Sequence, residues 1–390
     1  MPESKNTIVI LADWFDPAWK AGGPVRSLVN LVGHLYQEYD FKIICGDTDY
    51  GDSHPIEGLV TDKWVDWNGK AKVYYISKAN LSRRFIFSML DEVSADVIYV
   101  QGVFSLYFSI HPVIWWQQAR CGKLVIAPRG MLHRSALNIK GTKKRAFLML
   151  AKLMGWFNNA HWHSTNKEET EEIKLVMGRH IQLSEASNFP LFTEEIEKPI
   201  HDEGSGPLRL LCISRISDEK NPLLLIEALS QLDIAVELTF AGDYRDEGYF
   251  KKFNKRIEQL PGHVHVNYLG AVQPEALPLL YLSHDLFVFP SRGENFGHAI
   301  AESLMHGLPV IIGGNTPWNA IEAAGAGFVV QETPEAFSAA IFKYSKLDAE
   351  ARKNMSANAR MHVNLKLQAN QIKEDYEQLF YVEIQEEEIE

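Results

Sequence analysis

The sequence predicts an α/β protein of two similar domains, each a parallel sheet with helices on both faces. Three observations carry this. Short apolar runs alternate with longer helical patterns along all 390 residues. The runs are almost continuously apolar, as strands buried on both faces of a parallel sheet must be. The beat breaks once, at an acidic stretch rich in Gly, Ser and Pro near the middle. A chain of this length is too long for one ordinary domain and suits two.

Taken in order, the first half gives strands at TIVILA (7–12), FKIIC (41–45), KVYYIS (72–77), ADVIYV (95–100) and KLVIA (123–127), with NAHWHST (159–165) a weaker sixth. TEEIEKPIHDEGSGPL (193–208) has no apolar period and reads as a linker. The second half repeats the beat at LRLLCIS (208–214), VELTFAG (236–242), HVNYLG (265–270), DLFVFPS (285–291), LPVII (308–312) and GFVV (327–330). Strands separated by helical stretches make parallel sheets, and open sheets of this kind bind ligands at the carboxyl ends of their strands.

Composition excludes several function classes. The formal charge of −11 argues against nucleic-acid binding, which needs a basic surface. Cys45, Cys121 and Cys212 lie far apart, which leaves neither a disulfide framework nor a zinc signature and points to a reducing cytoplasm. The apolar run before Asp13 is too short for a signal peptide, and no segment is long enough to span a bilayer. No G-x-G-x-x-G appears, against a dinucleotide-dependent oxidoreductase.

The richest chemistry lies in DLFVFPSRGENFGHAIAESLMHGLPVI (285–311), which runs strand, loop, helix, strand. The amides of Phe296, Gly297 and His298 fall at the helix start, where free N–H groups and the dipole favour a phosphate. Glu294 in the loop and Glu302 on the helix can each accept two hydrogen bonds from vicinal hydroxyls, as a sugar or ribose presents them. After the first strand of the same half come Arg215 and Lys220, a fork and a point charge suited to a diphosphate.

As a set, these residues resemble the retaining glycosyltransferases of family 4, which have the GT-B fold of two Rossmann-like βαβ domains facing a central cleft. The likeness rests on the E-x7-E motif from Glu294 to Glu302 and on SR-x4-K at Arg215 and Lys220. The flanking YLSHDLFVFPS and LPVIIGG add to it, and it is strongest over residues 208–330. It implies that Glu302 holds the nucleotide ribose, Glu294 the transferred sugar, and Arg215 with Lys220 the leaving diphosphate. It also implies retention of configuration; UDP or GDP is the expected carrier, and Arg215, Lys220 and the helix start at Gly297 are expected to take the role of a metal, with no cofactor. The expected domains are 1–193 for the acceptor, a linker at 194–207, and 208–365 for the nucleotide sugar. Residues 366–390 form a C-terminal helix, expected to pack back towards the first domain, with an acidic tail.

In the first half, Gly22 and Gly23 follow the first strand, where a glycine pair lets backbone amides approach donor phosphates. Many family members have His-Gly after the strand that ends near residue 127, whereas this chain has Arg129-Gly130, with His133 three residues on. Arg129 is expected to line the cleft and meet an anionic acceptor, with His133 near it. From residue 97 through 167 there is no Asp or Glu, although cations are frequent, among them Arg134, Lys140, Lys143, Lys144, Arg145 and Lys152. Trp115, Trp116, Phe147, Trp156, Phe157 and Trp162 are interleaved with the cations of this region. Such a basic, aromatic segment, centred on 134–157, suits an anionic membrane surface and a lipid-linked acceptor.

The expected activity is therefore transfer of a hexosyl or N-acetylhexosaminyl group from a nucleotide-diphosphate sugar to a glycan or lipid-linked acceptor. The expected setting is bacterial surface polysaccharide synthesis, by a cytoplasmic enzyme peripheral on the inner face of the membrane. A nucleotide-sugar epimerase and a non-catalytic carbohydrate- or lipid-binding protein on the same fold remain alternative readings.

Overall fold

The computed structural model describes residues 5–133, 136–137, 141–191 and 206–382. Arg134, Lys140, nearly all of the expected linker and the acidic tail lie outside them. The chain divides into two compact units, residues 1–189 with 369–390, and residues 190–368.

In the first unit, β1 (Thr7–Leu11) leads through a loop to α1 (Gly23–Leu35) and β2 (Asp40–Gly46). Next come β3 (Trp64–Trp67), β4 (Ala71–Ile76), α2 (Arg83–Val93), β5 (Val97–Gln101), α3 (His111–Ala119) and β6 (Lys123–Ala127). The series continues with α4 (Gly141–Leu153), β7 (His161–Ser164), α5 (Lys167–Met177) and β8 (Gln182–Glu185). The sheet order is β3-β4-β2-β1-β5-β6-β7-β8. Strands β1, β5 and β6 are almost wholly buried, which is why they read as unbroken apolar runs.

The sheet is not parallel throughout. β3 pairs antiparallel with β4 at the edge, and neither β3 nor β8 is expected from the sequence. Both are four-residue edge strands, WVDW and QLSE, partly exposed and too short to show a period. Helix starts follow ordinary capping rules: Ser82 accepts the Phe85 amide before α2, and Asn166 accepts the Glu169 amide before α5.

The second unit holds β9 (Leu208–Ile213), α6 (Pro222–Leu229), β10 (Val236–Ala241), α7 (Glu247–Ile257), β11 (Val264–Gly270) and α8 (Leu277–Ser283). It goes on with β12 (Leu286–Phe289), α9 (His298–Met305), β13 (Val310–Gly313), β14 (Gly327–Val330), α10 (Pro334–Ser345) and α11 (Ala349–Lys366). Its sheet is parallel, in the order β11-β10-β9-β12-β13-β14. Numbered within the unit this is 3-2-1-4-5-6, the doubly wound order, whose direction of winding reverses between β9 and β12. The first unit repeats it along β4-β2-β1-β5-β6-β7, reversing between β1 and β5.

The last helix, α12 (Ala369–Phe380), belongs to the first unit, where Ile372, Tyr376, Leu379 and Phe380 are buried. Lys123 donates to the Leu379 and Tyr381 carbonyls, and Lys373 pairs with Glu38.

Candidate active site

The reversal between β9 and β12 is where a doubly wound sheet opens a crevice at its carboxyl edge. Two loops meet there. After β9 the chain runs Ser214-Arg215 to Lys220 and enters α6 at Asn221, a buried residue with φ 53° followed by Pro222. After β12 it runs Pro290-Ser291 to Glu294 and enters α9 at Gly297. The loops are sewn together by their backbones, since the Arg292 amide donates to the Glu219 carbonyl at 2.9 Å. The Glu294 amide donates to the Asn315 carbonyl, which fixes the carboxylate from the β13 side.

The structure brings Lys220 and Glu294 together. Lys220 Nζ donates to Glu294 Oε1 at 2.6 Å, and Ser291 Oγ lies 2.6 Å from the same oxygen. Side-chain exposure is 14% for the lysine and 12% for the glutamate, so the pair is largely desolvated yet reachable from solvent. Glu219, half exposed, stands 3.4 Å from the lysine. Ser291 itself is fully buried.

Glu302 belongs to a second, separately held set. It is buried on α9 and accepts from Tyr281 Oη at 3.0 Å. The Tyr281 ring stacks 5.0 Å from His306, whose Nδ1 donates to the Glu302 carbonyl. The helix start at Gly297 has φ 79° and ψ 59°, a left-handed conformation that a side chain would strain, and a Cβ there would meet Ile300 and Trp318. Trp318, fully buried, donates its indole N–H to the Phe296 carbonyl at 2.6 Å, and Phe296 packs against His298. Arg215 stands two residues past β9 on the same loop as Lys220.

Sequence reasoning found Glu294, Glu302, Lys220 and Arg215 but not Ser291, Tyr281, Trp318 or His306. Tyr281 and Ser291 left a signal only as the first and last residues of the flanking segment YLSHDLFVFPS.

In the first unit the Gly22 loop is held by Asp49, a buried carboxylate that accepts the Trp19 and Lys20 amides. Gly22, at φ 67°, precedes α1, whose first residues are Gly23 and Pro24. Beside this loop lies a cavity of about 480 Å³ lined by Trp19, Lys20, Asp49, Asp52, His54 and Glu57 among others. Where this sheet's winding reverses, Asp13 after β1 accepts from Ser105 Oγ at 2.7 Å, and burial holds its carboxyl above the usual range.

Arg129 departs from expectation. Its guanidinium donates to Gln101 Oε1 (2.8 Å), Asn188 Oδ1 (2.7 Å) and Tyr99 Oη (2.9 Å), with Tyr376 of α12 a further partner. Tyr99 bonds His163 Nδ1 at 2.7 Å, and His163 Nε2 faces the Ala186 carbonyl at 2.8 Å. This fixes a neutral imidazole, and burial, reinforced by Arg129, pushes His163 far below its ordinary range. The arginine thus commits most of its donors to side chains of the first unit while staying only partly buried. His133, half exposed, pairs with Glu172 at 3.2 Å on α5.

Residues 193–362 match the family model described as glycosyl transferases group 1. This group 1 region contains every second-unit candidate named above. Over 113 residues the chain is 33% identical to alpha-monoglucosyldiacylglycerol synthase of Streptococcus pneumoniae, covering 28% of this chain and 25% of that protein. It is 30% identical over 111 residues to mannosylfructose-phosphate synthase of Agrobacterium fabrum, covering 26% and 24%. The alignments thus span about a quarter of the length of these curated relatives. Among solved structures, sucrose-phosphate synthase from Thermosynechococcus elongatus superposes with a TM-score of 0.73 at 16% identity, over 96% of this chain and 99% of that one. Anabaena HepE, in complex with UDP and glucose, gives 0.72 at 17%, over the same shares. At these identities the likeness shows the fold, two Rossmann-like units of the GT-B class.

Proposed function

We propose that the protein is a retaining glycosyltransferase of family 4 that moves a sugar from a nucleotide-diphosphate sugar to a glycan or lipid-linked acceptor. The observation that carries this is the Lys220–Glu294 pair, seated on Ser291 at the winding reversal of the group 1 region. A lysine and a carboxylate held this close, largely desolvated but reachable, suit a ligand that carries both phosphates and hydroxyls.

In this reading Lys220, Arg215 and the α9 start receive the diphosphate, Glu294 accepts from hydroxyls of the donor sugar, and Glu302 accepts from the ribose. When donor binds, Lys220 shares its charge between Glu294 and phosphate oxygens. Transfer breaks the bond from the anomeric carbon to the β-phosphate oxygen and forms one to the acceptor oxygen, whose proton leaves with the diphosphate. Negative charge grows on the diphosphate as that bond stretches, so fixed cations and amides stabilise the transition state more than the ground state. We take UDP as the first carrier to test, since HepE binds it, and we expect the protein cations to meet the diphosphate charge without a metal. The cavity beside Trp19 suits a sugar acceptor, with an aromatic face and carboxylates for hydroxyls. The setting we infer is surface polysaccharide assembly on the cytoplasmic face of a bacterial membrane.

A thermal-shift screen with UDP, GDP, ADP and their sugars, with and without EDTA, tests the donor half. A nucleotide diphosphate that raises Tm in the wild type but not in Lys220→Ala supports it. No shift with any nucleotide would overturn it. Conversion of a nucleotide sugar to its epimer with no acceptor present would favour an epimerase instead.

A further inference from the structure

The basic segment that the sequence singles out is divided by the structure into two functions. Its aromatic residues are core: Trp115, Trp116 and Trp162 are buried, and Phe147, Trp156 and Phe157 pack against the same cluster. What α4 turns outward is aliphatic. Met149 is 71% exposed and Leu153 84%, with Leu150 and Met154 also exposed. On a helix advancing 100° per residue, Ala146, Met149 and Leu153 fall within about 60° of one another, with Leu150 beside them. The buried Leu148 and Ala151 lie on the opposite side. Exposed Lys143 flanks the stripe on one edge and exposed Arg145 and Lys152 on the other. Lys152 also donates to the Val176 carbonyl, next to Leu175, which is 88% exposed.

We propose that this outer face of α4 docks on an anionic lipid bilayer, laying Met149, Leu150 and Leu153 into the interface with Lys143, Arg145 and Lys152 at the headgroups. Three features of the molecule favour that occupant. A helix apolar on both faces, with only one covered by its own protein, has the amphipathic outer face of an interfacial helix. The cations stand inside a stretch, 97–167, without a single carboxylate, in a chain of net charge −11. Three carboxylates of α5, the helix whose Val176 carbonyl Lys152 reaches, are engaged: Glu169 by the Gly130 and Thr165 amides, Glu171 by Lys174 and Glu172 by His133. A second copy of the chain is disfavoured, because a two-fold contact through this stripe would set its flanking cations against their own images. The orientation is also unfavourable to the isolated helix, since Lys143, Lys144 and Arg145 crowd its positive end. Anionic headgroups relieve that repulsion.

Co-sedimentation of the full chain with vesicles of phosphatidylcholine, alone or with about 30% phosphatidylglycerol, tests this without knowledge of any substrate. Retention is expected on the anionic vesicles only, falling at least about tenfold in high salt. The surface variants Met149→Ser/Leu153→Ser and Lys143→Glu/Arg145→Glu should each lose retention while keeping the wild-type Tm and nucleotide response. Failure of the wild type to bind anionic vesicles, or equal binding to neutral ones, would overturn the proposal. So would a double variant that binds like wild type, or a concentration-dependent dimer in light scattering that Met149→Ser/Leu153→Ser dissolves.

Discussion

Each unit buries a cation near the carboxyl edge of its sheet, and the two cations are treated in opposite ways. Arg129 donates to four neutral side chains, Gln101, Asn188, Tyr99 and Tyr376, with the Glu169 carboxylate nearby, and it stays only partly buried. Lys220 is held by the Glu294 carboxylate, with that of Glu219 at 3.4 Å, and the Lys220–Glu294 pair retains a small opening to water. A guanidinium held by four neutral side chains of its own unit has little to gain from exchanging one of them for a ligand. An ammonium paired with a carboxylate at a crevice can exchange or share its partner with a phosphate. Burial of charge alone therefore does not mark a binding site; the exchangeability of its partner does.

The comparison breaks most visibly at Arg129. Arg129→Met should leave Gln101, Asn188 and Tyr99 with unpaired buried groups and cost about 3 kcal/mol or more in urea unfolding. A variant of wild-type stability would mean that the arginine is as replaceable as a surface cation. Lys220→Ala should cost less stability, since Ser291 and water can still serve Glu294, but weaken nucleotide diphosphate binding roughly ten- to a hundredfold, as loss of a charge-assisted hydrogen bond does. Calorimetric titration with UDP reads this directly.

The sealed cluster also predicts a pH dependence. His163 is held neutral far below its ordinary range and burial lowers His161 to about 4, so between pH 6.5 and the folded values the unfolded chain binds more protons. Stability should therefore be full above pH 6.5 and fall as pH drops, by about 1.4 kcal/mol per pH unit for each histidine. His163→Gln should flatten the curve of Tm against pH; an unaltered slope would contradict the assignment. The smallest effect expected is at Tyr281, which orients Glu302. Tyr281→Phe should weaken a ribonucleotide by about 1 kcal/mol, roughly fivefold, but leave a 2′,3′-dideoxynucleotide unchanged. Equal weakening of both would mean that the tyrosine serves packing alone.

Much of this was legible in the sequence. Unbroken apolar runs revealed the strands buried on both faces, whereas β3 and β8 escaped because each edge strand is only four residues long and neither is an unbroken apolar run. The second unit's candidates were readable because a strand–loop–helix passage places side chains by local geometry, so Glu294 and Glu302 carry their setting in their spacing. The partners of Arg129 are hidden in the sequence for the converse reason. An arginine just beyond a strand looks the same in sequence whether it turns outward or into a cluster built from Tyr99, Asn188 and Tyr376, residues up to 247 positions away. Tyr281 and Ser291 were missed because their roles exist only once other elements pack against them.

The placement of α12 has a consequence for the order in which the protein can be made. The second unit is one continuous run of chain, but the first opens the sequence and needs its last helix to supply Tyr376 and Phe380 and to receive Lys123. On a ribosome, the unit begun first is therefore completed last. Until residue 380 emerges, Arg129 waits for Tyr376 and the surface beneath α12 stays uncovered, while the sugar-nucleotide candidate site can already form. A stop at residue 368 would then leave the second unit folded and the first open along the flank that α12 covers.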